Sequence, residues 1–563
     1  MSQPDRHETI IRQFCESSQK HLGLRVRGVQ VEAAKQLLGD CVVEMATGEG
    51  KTLTTALAAC LLRDRYASVF VATANDYLAH RDAAWMAPVL AELGHQTTAL
   101  KQPETLPTAR TTYAGSIVYG TIRDFGFDHL RRRIAARAMD AGGVDPMPLN
   151  ALIVDEADSV LIDEARTPLV ISQPTQQIDP VMASCCHWAA ETARLFESEK
   201  DFVSIEPSQQ IALTEAGHGK LIHVAMPAAM DELNMTQITH ALEQAIWVRT
   251  NLHDQQHYLV REGRVVLIQQ YSGRTAENRT FAAGVQQAIE AREGVALTAS
   301  SQCVAKITVQ SFTAQFDHLC GITATATEDA HELKTVYGLR VVNAPSHQPS
   351  ALAILPPKIC QDAAEKRQGV FCETREMIKV GRAVLIGTRD IQSSEDLSTF
   401  LNANDVQHVV LNAKNPKAEA EIVAKAGQRG NVTVATNMAG RGTDIPLSDE
   451  VRQAGGLHVI VLEAYSAARI DRQLMGRAGR QGDPGSARLF VSPEDGVLEQ
   501  AFGDTHSKGS GKNLAKQVSK AQALISKHHR LQRSRLTARE SAQAKTLRQL
   551  GLDPVLDPLP EDS

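Results

Sequence analysis

Between Cys41 and Ile171, short apolar runs of strand length alternate with longer amphipathic stretches of helical character. Examples are Val42–Met45, Ser68–Thr73, Ser116–Tyr119 and Leu152–Val154. Strands alternating with helices predict a parallel sheet in an α/β layer fold. Residues 1–40 read as helical, with Ile10, Ile11, Phe14 and Leu22 set among polar neighbours. The pattern changes at about Gln173. From there to Ser300 it predicts helices over His187–Glu197 and Thr236–Thr250. A strand pair follows, Tyr258–Val260 and Val265–Gln269, turned through Arg261-Glu262-Gly263-Arg264. The α/β pattern returns with Ile307 and Gly321. A second such block runs from Ala351 to Pro493, with strands Ala383–Ile386, His408–Leu411, Thr433–Ala435, His458–Leu462 and Ala487–Val491. This divides the chain into residues 1–172 and 301–350 as one interrupted domain, 173–300 as its insert, 351–505 as a second domain, and 506–563 as a helical segment and tail.

Residues 506–550 carry eleven Lys/Arg against one acidic residue, Glu540. Leu514, Val518, Ala521, Ile525 and Leu531 approximate helical spacing. Two readings follow: a solvated helix packing its apolar stripe on the rest of the chain, or a helix addressed to anionic lipid.

Composition narrows the function. The 563 residues exceed what one core serves, and 43% hydrophobic residues can bury more than one. The net charge of −6 gives no global basic signature, so nucleic acid is not an implied partner. No run is long enough to span a bilayer, and the polar start Met1–Glu8 lacks the apolar core of a signal peptide, so a cytosolic protein is expected. The nine cysteines are scattered without a C-x-x-C pair, so neither zinc nor a disulfide framework is expected.

Four motifs carry chemistry. Met45-Ala46-Thr47-Gly48-Glu49-Gly50-Lys51-Thr52 follows a short strand and opens a helix, the context of a phosphate-binding loop. Gly48 and Gly50 let backbone N–H groups approach phosphate oxygens, with Glu49 between them. Lys51 would neutralise the β and γ phosphates, and Thr52 would reach Mg²⁺. Met45 stands where the usual pattern has Gly. In Leu152-Ile153-Val154-Asp155-Glu156-Ala157-Asp158 an apolar strand ends in adjacent carboxylates. Asp155 would hold Mg²⁺ through water, and Glu156 would orient and deprotonate the attacking water. The third motif, Thr436–Asp444, includes Arg441; the fourth, Gln473–Asp483, contains Gly476-Arg477-Ala478-Gly479-Arg480. Arg477 and Arg480 can present guanidinium groups to a γ-phosphate and stabilise charge in the transition state. Their position in a separate block implies ATP held in a cleft between domains, whose closure completes the site.

The order of these motifs resembles superfamily 2 helicase-type motors, and Asp155–Asp158 spells the DEAD-box signature. Longer stretches resemble SecA, the ATPase that pushes unfolded proteins through a membrane channel. They are Ala72–Asp82, Tyr119-Gly120-Thr121 with Phe125–Asp128, Asp155–Leu169, Leu411–Lys414, Thr436–Ile445 and Gly455–Ser486. The resemblance covers roughly residues 20–172 and 258–500 and implies two RecA-like, P-loop motor domains with an inserted α+β preprotein-clamp domain and a C-terminal helical segment. It implies further that Gln30 reads adenine, that Asp444 and Arg441 contact nucleotide, and that residues 173–300 clamp a translocating chain. The match in the insert is Tyr271-Ser272-Gly273-Arg274 and Gln287–Ala291. Residues 513–545 resemble the start of the family's scaffold helix. The implied partners are an unfolded preprotein, a SecYEG-like channel and an anionic membrane surface, with the protein held peripherally at the inner face of the cell membrane.

The chain departs from the family pattern in places. Gln269-Gln270 stand for an Asp-Glu pair, Ala46 and Met475 replace basic residues, and Gly321–Ala326 reads Gly-Ile-Thr-Ala-Thr-Ala. Nothing matches the family's helical wing, two-helix finger or Cys-rich zinc tail. Two other readings use the same residues. A nucleic-acid-remodelling DEAD-type ATPase shares the engine and could use the basic segment, yet aromatics are only 4% and no stacking platform is visible. A SecA-derived binding protein without translocase activity requires a broken engine, yet Lys51, Thr52, Asp155, Glu156, Arg477 and Arg480 are all present.

Overall fold

The computed structural model describes residues 3–100, 113, 115–138, 146–174, 180–205, 210–254, 257–261, 263–268, 275–276, 281, 284–298, 301–411, 422–436, 444–503 and 513–557. They divide into two compact units, Met1–Ile171 with Ala305–Ser563, and Ser172–Val304.

The larger unit holds two parallel sheets, which form two lobes. Across the first the strands run Arg340–Asn343, Cys41–Glu44, His318–Thr323, Ala151–Asp155, Val69–Thr73, Ser116–Thr121 and Gln96–Ala99. Every pairing among them is parallel. Val69–Thr73 is buried at every position and Ser116–Thr121 at all but its last, as expected for strands covered by helices on both faces. Two strands were not legible in the pattern, Gln96–Ala99 and Arg340–Asn343. Both lie at sheet edges, where partial exposure removes the apolar run that marks a central strand.

In the second lobe the order is Leu352–Ile354, Gly485–Val491, Leu457–Val461, Val384–Thr388, Val432–Thr436 and Val409–Leu411, with Lys358–Ile359 also pairing along Gly485–Val491. These pairings are parallel too. Parallel strands bring all their C-terminal ends to one edge, where the chemistry of open α/β sheets collects.

A helix of 36 residues, Leu514–Gln549, crosses from one lobe to the other. Its first half buries Leu514, Val518, Ala521 and Ile525 against Ala464, Val491, Val497 and Leu498 of the second lobe. Its second half meets the first lobe through polar contacts. Arg533 makes a two-pronged bond to Glu332 at 2.6 and 2.8 Å, and Glu540 accepts from the Thr308 N–H at 3.0 Å and Ser311 Oγ at 2.5 Å. The packing reading of this helix therefore holds for one face, with a correction: Leu531 is 48% exposed, six residues beyond Ile525 and off the buried stripe. The chain then turns back onto the first lobe, where the Lys306 N–H donates to Val555 O at 2.9 Å and Arg133 pairs with Asp553 at 2.6 Å.

The smaller unit is α+β. Helices Pro180–Thr192, Glu215–His223, Met235–Asn251 and Val285–Glu293 accompany the hairpin Phe202–Ile205/Gln210–Leu213 and a three-stranded antiparallel sheet of Tyr258–Arg261, Arg264–Ile268 and Thr275–Ala276. Cys185, Trp188, Phe196, Phe202, Leu242 and Ile246 form much of its core. The helix expected from His187 begins earlier, at Pro180, and the hairpin at Phe202 was not anticipated. Gln269, Gln270 and Tyr271–Arg274 lie outside the described residues.

Candidate nucleotide site

The strand Cys41–Glu44 runs into the Gly-rich loop, and the helix Lys51–Leu62 leaves it. Gly48 and Gly50 have φ of 83° and 86°, in the left-handed region that a side chain disfavours. Gly50 caps the helix without a side-chain hydrogen bond, so no capping side chain competes with an anion for the Lys51 and Thr52 N–H groups, while the Leu53 N–H bonds Gly50 O at 3.1 Å. Gln30 braces this loop: its Nε2 donates to Glu49 O at 2.7 Å, and its Oε1 accepts from the Arg27 N–H at 2.9 Å. A Cβ at Gly50 would lie 2.3 Å from Gln30 Nε2. The Glu49 carboxylate is buried, 3.6 Å from Arg27, and accepts from the His347 N–H at 3.2 Å.

Asp155 ends its strand in register with Ile322, one residue before the Glu44–Thr323 pair of the neighbouring strands. This places the carboxylates beside the phosphate loop, and Lys51 Nζ lies 3.7 Å from Glu156 Oε1. Glu156 is buried with φ of 52°, a costly conformation for a non-glycine residue, of the kind that gathers at functional positions. Burial, and then the Glu156 charge, push Asp155 up to about 7, against the pull of Lys51. A buried Glu156 and a half-buried Asp155 beside one ammonium, with Asp155 raised by burial and its neighbour's charge, form a site that a cation would relieve. That donor set, with the Thr52 hydroxyl on the first helical turn, suits a hydrated divalent cation also held by phosphates.

The second lobe closes on this edge. Thr47 Oγ1 donates to Gly476 O at 2.6 Å, and a Cβ on Gly48 would sit 3.1 Å from Arg480 Cβ. Arg480 donates to Asp444 Oδ1 at 2.7 Å and to Gly476 O at 3.1 Å. Arg477 sits in the same turn, half-buried, and its charge acts on the Tyr465 hydroxyl. Arg441 lies outside the described residues. Arg480 and Asp444 thus stand with the Gly-rich loop, which Gln30 braces from within the first lobe.

Sequence reasoning missed the junction between the lobes. Asp158 accepts from Thr323 Oγ1 at 2.5 Å, Thr325 Oγ1 at 3.0 Å, Arg469 Nη1 at 3.1 Å, and Gln473 Nε2. Arg469 also pairs with Asp163 and, at 3.1 Å, with Asp329. A π-helical turn over Ser159–Asp163 makes this possible. Its i→i+5 bonding brings residues five apart close together, so Asp158 and Asp163 both reach one guanidinium. The available signal was Arg469 four residues before Gln473, on one face of the helix Ala468–Met475.

The same helix carries Asp471, buried, accepting from the Tyr465 N–H at 2.9 Å and Gln522 Nε2 at 2.7 Å. Burial pushes its carboxyl up to about 7. The folded state then keeps a proton that the unfolded chain releases above about pH 4, so stability drains as pH rises from about 4 to about 7. Asp471→Asn removes the charge and keeps one acceptor oxygen, enough for one of the two bonds, because its amide nitrogen only donates. The variant should therefore not show the loss of stability that the parent shows from about pH 4 to about pH 7, measured by thermal melts across that range.

Two parallel-sheet lobes, with a phosphate loop and paired carboxylates on one and an arginine turn on the other, define a two-domain P-loop motor. The chain matches the SecA DEAD-like domain over residues 6–334 and the SecA P-loop domain over 356–452 and 447–515. It is 37% identical to a protein translocase subunit SecA 2 of Rhodopirellula baltica, over 96% of this chain and 88% of that one. It is 40% identical to a SecA of Halothermothrix orenii, over 82% of this chain and 55% of the relative, and 39% identical to a SecA of Helicobacter pylori, over 88% and 56%. The chain belongs to the SecA family of P-loop motor ATPases. It spans a little over half the length of the SecA relatives cited, and most of the SecA 2. Among solved structures it is similar to S. cerevisiae Dbp5 bound to RNA and ADP BeF3, at 12% identity over 90% of this chain and 100% of that one, with a TM-score of 0.40. No helix among the described residues is long and apolar enough to cross a membrane.

Proposed function

We propose that this protein hydrolyses ATP in the cleft between its two lobes and uses the closing motion to drive unfolded preproteins through a SecYEG-like membrane channel. Lys51 and the N–H groups of Gly48–Thr52 bind the phosphates, and Gln30 reads the adenine. Asp155, through water, and Thr52 would hold Mg²⁺, which supplies charge neutralisation at the phosphates when bound. Glu156 takes the proton of the attacking water, its carboxylate held near the loop by Lys51. Arg477 and Arg480 stabilise charge on the transferring phosphoryl group, with Asp444 orienting Arg480 and Arg441 contributing to the nucleotide site. The Arg469–Asp158–Gln473 junction couples Glu156, two residues from Asp158, to the second lobe, so loss of the γ-phosphate changes how the lobes grip each other.

The observation that carries the transport reading is the match to the SecA DEAD-like domain, which runs through the insert as well as the motor core. Residues 173–300 are accordingly read as the preprotein clamp. Their three-stranded antiparallel sheet offers backbone groups to an extended chain, a sequence-tolerant grip. The protein works from the cytoplasm against the inner face of the membrane. In steady-state assays with each ligand titrated separately, unfolded polypeptide or channel-bearing membranes should raise the ATPase rate several-fold. Single-stranded RNA should raise it little at physiological salt, where sparse phosphate contacts are screened. Strong stimulation by RNA with none by unfolded protein or channel would replace this reading with the helicase one.

A further inference from the structure

The strand Cys41–Glu44 sends alternate side chains to opposite faces, so Cys41 and Val43 enter one apolar cluster and Val42 enters another, with Ala326 and Leu333. Glu44 falls on the face of Val42, where the period calls for an apolar residue. Its carboxylate is met there by a single turn. Glu44 Oε2 accepts from the Ala326 N–H at 2.8 Å, the Thr327 N–H at 2.6 Å and Thr327 Oγ1 at 2.7 Å. One residue on, the Met45 N–H donates to Thr323 O at 2.8 Å. Glu44 and Met45, at the entrance to the phosphate loop, therefore fasten residues 323–327 at both ends. Thr325 lies between the fastenings. Its Oγ1 donates to Asp158 Oδ2 at 3.0 Å and accepts from Gln473 Nε2 of the second lobe at 2.8 Å.

We propose that Glu44 is a positioning residue for the motor's reaction: it carries a shift of the phosphate loop to Gln473, and so to the turn that holds Arg477 and Arg480. Helix capping alone does not account for it. Ala326 and Asp329, which open the 3₁₀ turn Thr327–Asp329 and the helix Ala330–Tyr337, make no side-chain cap bond. A Ser or Asn at position 326 would serve these N–H groups from within the turn. Here the acceptor comes from 282 residues away, from the residue that precedes the phosphate loop, and it joins two parts of the motor that a local cap would leave separate. The partial positive charge of N–H groups at a helix start suits a carboxylate. With its hydroxyl hydrogen given to Asp158, Thr325 has only lone pairs to offer Gln473, so the bond across the lobes lasts only while residues 323–327 stay in place. Gln473 sits on the helix Ala468–Met475, which runs directly into the arginine turn.

This inference rests on reading the chain as an ATP-driven motor. The test uses the full chain and three readouts: fluorescent-nucleotide binding, phosphate release, and hydrogen exchange of the helix Ala468–Met475 with and without a non-hydrolysable ATP analogue. In the parent the analogue should slow exchange in that helix. Glu44→Ala should keep nucleotide affinity within about twofold, lose most of that slowing, and lower kcat about tenfold with little change in KM. Glu44→Gln, which keeps the reach and one acceptor oxygen, should recover most of the loss. Thr327→Val removes one of the three bonds and should show a smaller loss of the same kind, which keeps the comparison available if Glu44→Ala does not fold. Glu44→Ala combined with Gln473→Ala should lower kcat by no more than about twofold beyond the larger single effect, because both break one path. Leu333→Val thins the packing of the same helix start; it should lower the melting temperature about as much and leave kcat within about twofold. Unchanged kcat and exchange response in Glu44→Ala would overturn the inference, as would single effects that simply multiply in the double variant. A kcat loss in Leu333→Val as large as in Glu44→Ala would reduce Glu44 to a structural cap. A parent that binds nucleotide with no exchange response would overturn the inference too, whereas a parent that binds none would remove the motor reading, and this inference with it.

Discussion

Glu156→Gln should retain nucleotide and lose ATP turnover by about 10²–10⁴-fold, whereas Lys51→Ala should lose nucleotide binding itself. The two side chains face each other at 3.7 Å, but their tasks separate. On the proposed mechanism Lys51 meets the phosphates in the ground state. Glu156 would act only on the attacking water, and its backbone is held in a conformation that costs energy. The amide of Glu156→Gln also releases Lys51 from a competing carboxylate, so nucleotide affinity should hold or rise. Fluorescent-nucleotide binding and phosphate release, measured on both variants, distinguish the outcomes. Undiminished turnover in both would remove this site from the chemistry.

Arg477→Ala or Arg480→Ala should lower kcat by around 10³-fold while changing KM little. Arg480 already leans on Gly48 and is aimed by Asp444 at 2.7 Å, so it is preorganised before nucleotide arrives. Arg480→Lys should rescue only a small part of the loss, because an ammonium keeps the charge but not the planar fork. A defect confined to KM would show that these arginines bind ATP without acting on the transition state. Arg480 also packs against the phosphate loop, so melting temperatures of the variants should accompany the kinetics.

Much of the motor was legible because its signals are local. Val69–Ala72 and Ala151–Val154 are continuous apolar runs, and a strand feeding Gly48-Glu49-Gly50-Lys51-Thr52 into a helix leaves few alternatives. The edge strands Gln96–Ala99 and Arg340–Asn343 escaped because half-exposed strands lose the pattern. The Asp158 junction escaped for another reason. Thr323, Thr325, Arg469 and Gln473 converge on it from segments more than a hundred residues away, and no local period reports such a meeting. Asp163 joins them through a π-helical turn, which sequence spacing tuned to 3.6 does not anticipate. Leu531 sat near enough to helical spacing to be taken with the buried stripe, but six residues beyond Ile525 it stands about 120° around the helix from that stripe.

Transport itself is the central claim. The direct measurement supplies this protein as the sole motor to channel-bearing membrane vesicles with an unfolded preprotein and ATP, and follows protection of that preprotein from added protease. The account predicts ATP-dependent protection that disappears with Glu156→Gln. ATP turnover without any protected preprotein, accompanied by ATP-dependent unwinding of an RNA duplex in the same preparation, would contradict it.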